Sequence, residues 1–132
     1  MAVSIFAAKT SGVSASWVAV RAKKAAKALG RSRDDIAVVF TDARKMRKLN
    51  REYRGKNKTT DVLSFPADTG GDLGDIFIAP AVAKARAAGR GAEYREYLAL
   101  LIVHSVLHLG GYDHHAKKEA AAMARMEKKI LK

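Results

Sequence analysis

Val103-His104-Ser105-Val106-Leu107-His108-Leu109-Gly110-Gly111-Tyr112-Asp113-His114-His115 contains all four histidines of a 132-residue chain. The apolar run that enters it from Glu93 reads as one long helix. On that helix His104 and His108, four positions apart, stand one turn from each other on the same face, so two imidazole nitrogens can meet at one point. A straight helix cannot supply a third. Gly110 and Gly111 tolerate the positive φ of a helix C-terminus, and the turn they allow can swing His114 back toward the first two. A lone histidine on an apolar face is ordinarily a core residue with a satisfied hydrogen bond. Three at this spacing, followed by a glycine stop, point to a metal. Structural zinc is normally closed by four protein ligands, often Cys, and the chain has no Cys. Three histidines leave one position open for water. Asp113 is placed either to orient a ligand imidazole or simply to shape the turn after glycine; His115 receives no role.

Around this stretch the composition is that of a single domain with a formal charge of +12, from 25 Lys and Arg against 13 Asp and Glu. Such a balance makes a polyanion the leading partner class and a membrane surface the weaker one. The absence of Cys fits a reducing compartment. The N-terminal residues lack a basic n-region and a signal-length apolar run, and Leu98 to Val103 is far below a membrane span. The expectation is a soluble, cytoplasmic, basic protein.

Working outward, Val3 to Ala8 reads as an edge strand, and Ser14 or Ser16 as the cap of a helix with Val18, Ala22, Ala25, Ala26 and Leu29 on one buried stripe. Gly30 ends that helix, and Ile36 to Phe40 is a buried strand. Thr41 is the expected N-cap of the next helix, with Asp42 in its first turn and Met46, Leu49 and Tyr53 as its core stripe. Arg44, Lys45, Arg47, Lys48 and Arg51 cover the rest of its surface. Between Arg21 and Lys58 there are 14 basic residues and 4 acidic ones, a concentration that favours a binding surface. A basic loop follows, then a strand Val62 to Phe65 ended by Pro66. A glycine turn over Gly70 to Gly74 leads into a strand over Asp75 to Ala79, antiparallel to the one before. Pro80 opens an alanine-rich helix that stops at Gly89. The final helix carries Met123, Met126 and Ile130 on its core side.

Two distant segments carry a resemblance. Arg54-Gly55-Lys56-Asn57-Lys58-Thr59-Thr60-Asp61-Val62-Leu63-Ser64-Phe65-Pro66 and His104-Ser105-Val106-Leu107-His108-Leu109-Gly110-Gly111-Tyr112-Asp113-His114 resemble the paired signatures of the YbeY family, bacterial metal-dependent endoribonucleases that act in ribosomal RNA maturation. Leu49-Asn50 and Leu73-Gly74-Asp75-Ile76 match in order and at fitting distances. The resemblance implies an α+β fold, a small mixed β-sheet packed with about five helices, with the metal site at the C-terminal end of the long central helix. It implies one zinc held by His104, His108 and His114, a functional arginine at Arg54, and single-stranded RNA, ribosomal RNA and the ribosome as partners. The chain departs from the family pattern at three positions: Ser105 where Gly is usual, Thr59 where Pro is frequent, and Gly110 where Leu is frequent.

The residues themselves bear on the chemistry. In the peptidase motif HExxH the residue after the first His is the general base, and here that place is Ser105, which argues against peptide hydrolysis. Phosphodiester cleavage needs no such glutamate. The expected division is metal at the histidines, Arg54 on the negative charge of the phosphate, and Lys56 and Lys58 on flanking phosphates. A basic ribosome-associated protein with a purely structural metal is the non-enzyme alternative. The nucleophile, water or the RNA 2′-hydroxyl, stays open.

Overall fold

The computed structural model describes residues 3–68, 70–111 and 117–131. Strand β1 (Val3–Phe6) leads through a short 3-10 turn (Ala8–Ser11) into helix α1 (Ala15–Ala28). There follow β2 (Asp35–Phe40), α2 (Ala43–Arg54), β3 (Val62–Pro66), β4 (Asp72–Ile78), α3 (Pro80–Gly89), α4 (Tyr94–Leu109) and α5 (Lys117–Leu131). The four strands form one sheet in the order β1-β2-β4-β3. The β1–β2 and β2–β4 pairs are parallel and β3–β4 is antiparallel, which makes the sheet mixed, as the α+β reading expects. Among the described residues no helix is long and apolar enough to cross a membrane.

Strand alternation divides the core between the two faces of this sheet. Ile36, Val38 and Phe40 of β2 and Ile76 and Ile78 of β4 point to one face, where they meet Val18, Ala22, Ala25 and Ala26 of α1 and Leu98, Ile102 and Val106 of α4. Met123 and Ile130 of α5 close the same cluster. Helix α4 is apolar around most of its circumference, as a helix must be when it is packed on several sides at once. Leu63 and Phe65 of β3 and Phe77 of β4 belong to a second cluster, with Met46 and Leu49 of α2. Helices α2 and α4 thus attach to different clusters, and edge strand β3 lies between them.

The local signals act as read, with adjustments. Ser14 caps α1, its hydroxyl accepting from the Trp17 amide. Helix α2 is capped by Asp42 and not by Thr41: the Asp42 carboxylate accepts from the Lys45 amide at 2.7 Å. Either side chain can cap, but only Asp42 sits three residues before the amide that needs an acceptor. Tyr53 is not in the core. It is 67% exposed, because at the last turn of α2 the stripe has run past the layer that covers Met46 and Leu49. Strand β4 begins at Asp72, so Asp72 to Gly74, expected in the turn, belong to the ladder. Strand β1 stops at Phe6, before Ala8.

Two glycines mark close approaches. Gly74 lies opposite Pro66 with φ 141°, and a Cβ there would come within 2.2 Å of the Phe65 carbonyl oxygen. At Gly110 a Cβ would come within 2.5 Å of Leu29 Cδ1. The end of α4 is therefore seated against the end of α1, and Leu29 occupies the space that a larger residue at position 110 would need.

Candidate metal centre and the cavity beside it

Helix α4 brings His104 and His108 to its last turns, both partly buried. The chain beyond Gly111, with Asp113, His114 and His115, lies outside the described residues up to Lys117. No group of three metal-binding side chains is complete among the described residues, because two of the expected three ligands are in that set. What is described suits an ion. The Glu127 carboxylate of α5 hydrogen-bonds Nδ1 of His104 and forms an ion pair with it when the ring is charged. In a neutral ring this places the proton on Nδ1 and leaves the Nε2 lone pair as the donor to a metal. The Glu127 side chain is only 13% exposed, so its charge is held beside the imidazole and not dispersed into water.

Reading the sequence missed Glu127, although a signal was present. It stands four residues after Met123 and next to Met126, a carboxylate bordering the apolar stripe of α5, where a charge needs a partner.

Arg54, His104 and His108 line one open cavity of about 450 Å³, together with Tyr53, Val62 to Phe65 and Ser105. Arg54 comes from the last residue of α2, the histidines from α4, and the floor is edge strand β3. None of the described residues lining this cavity is acidic. Ser105 is 1% exposed, and its Oγ makes no hydrogen bond among the described residues. Serine is small enough for this buried position, and no described residue equips it to act as a base. Tyr53 sets its ring edge-on to Phe65 at 5.2 Å, and Phe65 does the same to Phe77 at 5.6 Å, which fixes the rim beside Arg54.

The loop from Gly55 to Asp61 is held at several points. Gly55 takes a left-handed φ of 68° at the C-cap of α2. Buried Asn50 donates from Nδ2 to the Lys58 carbonyl at 2.9 Å, and the Thr59 hydroxyl donates to the Ala43 carbonyl at 3.0 Å. That second bond is open to Thr59 and closed to a proline, so this departure from the family pattern has a use. Asp61, 4% exposed, accepts from the Tyr97 hydroxyl at 2.6 Å and from Arg86 at 2.9 Å. Burial, then the hydrogen bond to Asp61, push the Tyr97 phenol above its usual range, so it stays a donor. Asp61 thereby ties the base of the loop to α3 and α4. Lys56 and Lys58 are exposed on this loop and do not line the cavity.

Comparisons with known proteins agree with this architecture. The family model described as Endoribonuclease YbeY matches residues 7–132. Endoribonuclease YbeY of Stenotrophomonas maltophilia is 42% identical over 125 residues, 87% of this chain and 74% of the relative. That of Bartonella henselae is 41% identical over 104 residues, 74% of this chain and 66% of the relative, so the matched part is just under two thirds of that protein. The solution structure of TM1509 from Thermotoga maritima superposes with a TM-score of 0.69 at 23% identity, covering 98% of this chain and 86% of that one, a likeness of fold. The chain belongs to the YbeY endoribonuclease family.

Proposed function

We propose that this chain is a metal-dependent endoribonuclease that cuts single-stranded RNA, with zinc at His104, His108 and His114. The observation that carries the reading is the shared cavity of Arg54 and the two described histidines, which sets one guanidinium beside imidazole donors. Family membership supports RNA as the substrate class. We further propose that the substrate is ribosomal RNA, in maturation of the small-subunit 3′ end and in ribosome quality control in the cytoplasm.

In this reading the three imidazoles hold the ion and Glu127 holds the His104 ring in its donor orientation. A zinc ion, when bound, would lower the pKa of its water to near neutrality and polarise a phosphoryl oxygen. Arg54 offers its planar fork to the non-bridging oxygens, where negative charge builds as the phosphodiester bond is cut. Tyr53 presents an exposed ring face to a base of the strand. Lys56 and Lys58 hold flanking phosphates outside the cavity. Asp113 orients a ligand imidazole.

The test is cleavage of unstructured RNA by the metal-loaded chain, with a chelator and with a casein substrate as separate arms. The expected result is RNA cleavage that stops with chelation and no peptide hydrolysis. A chain that unfolds on chelation and never cuts RNA when loaded would establish a structural metal instead.

A further inference from the structure

Helix α2 presents more positive charge than the cavity at its end uses. At 100° per residue Arg44, Lys48 and Arg51 fall on one line, opposite buried Met46 and Leu49, and Arg54, three residues past Arg51 at the helix end, sits about 60° round the helix from it. From Arg44 to Arg54 the helix rises about 15 Å, long enough to meet a strand at several phosphates. Arg44, Lys45, Arg47, Lys48 and Arg51 line an open concavity of about 540 Å³ with Asp42 and Asn57. Among the described residues none of these five cations has a carboxylate partner. Asp42, the one acid there, is engaged in capping the helix, and Arg47 donates to the Asn57 side chain at 3.1 Å, fixing one wall.

The basic residues of α1 offer no such line into the cavity. Arg21 lies 3.8 Å over the Trp17 ring and donates to its carbonyl, and Arg95 approaches the same ring. Lys23, Lys24 and Lys27 are exposed and line nothing shared with Arg54 or the histidines.

We propose that Arg44, Lys48 and Arg51 form a phosphate track that leads single-stranded RNA along α2 to Arg54. The track rests on the nuclease reading above for its direction, though its binding is measurable without cleavage. The metal-loaded chain is titrated with a single-stranded 2′-O-methyl RNA of about 20 nucleotides, checked on a gel for integrity, between about 50 and 200 mM salt. Two variants with equal loss of charge are compared, R44Q/K48Q/R51Q and K23Q/K24Q/K27Q. Each single-strand phosphate contact contributes about 0.7 to the salt slope, so the α2 variant loses about 2 from its slope and at least about tenfold in affinity at low salt. The α1 variant changes its slope by less than about 0.5.

Equal slopes in the two variants, or no loss in the α2 variant, would overturn the track. Circular dichroism confirms that both variants are folded, which is expected because the side chains of Arg44, Lys48 and Arg51 make no hydrogen bond or ion pair with the described residues. Unmodified RNA is run in parallel with the unaltered chain. If it is never cut while only the α2 variant loses slope, the nuclease reading fails and the track stands. If it is cut while the slopes match, the reverse holds.

Discussion

Helices α2 and α4 meet at one cavity and are built on opposite principles. Helix α4 is apolar on nearly every side, sealed between α1, α3, α5 and the sheet, and its two histidines are polar exceptions at the end. Helix α2 buries only Met46, Leu49 and Asn50 and gives the rest of its surface to charge. A metal centre needs ligands whose positions do not drift, and a closely packed helix provides that. A polyanion needs charge that is accessible and not already neutralised, and an exposed helix provides that. The difference separates two kinds of failure: damage to α4 should show in metal and fold, and damage to α2 should show in RNA.

The largest expected effect is on the α4 side. His108→Ala removes one of the two proposed ligands on the rigid helix, and cleavage is expected to fall to the level of the chelated protein, with zinc no longer retained through gel filtration. Retained zinc at one per chain would break the comparison at its root. Next comes Glu127→Gln, which keeps the shape and removes the charge beside His104. Outer partners of metal-bound histidine typically contribute about 10- to 100-fold in metal affinity, so competition with a chromogenic chelator should show a loss in that range. An unchanged affinity would reduce Glu127 to a helix-packing contact. The smallest effect is structural: Gly110→Ala pushes a methyl group into Leu29 and should cost about 1–3 kcal/mol in urea unfolding, unless Leu29 can move aside. A variant as stable as the parent would show that the α1–α4 seam is looser than the contact implies.

What could be read from the sequence divides along the same line. The HxxxH spacing and the glycine stop are local patterns, and each is found where it was expected among the described residues, whereas Arg54, read as part of the basic loop, is the last residue of α2. The sheet order was not legible, because parallel pairing of β1 with β2 and of β2 with β4 is a choice among distant partners. Tyr53 has the spacing of a core residue, but helical periodicity gives the side of a helix and not how far its cover extends. Glu127 and Asp61 act through partners 23 and 36 residues away; the edge of an apolar stripe shows that Glu127 needs a partner, but not which one. Gly110 is explained only by Leu29, which arrives from a helix some eighty residues earlier.

The central claim is that a metal held by α4 and an arginine held by α2 are two halves of one nuclease centre. Its most direct test is Arg54→Ala, measured for zinc content and for RNA cleavage on the same preparation. The account predicts zinc at the parent stoichiometry with cleavage reduced about 100- to 1,000-fold, the usual consequence of removing one group that stabilises developing negative charge. Parent-level cleavage by the folded, zinc-loaded variant would contradict it.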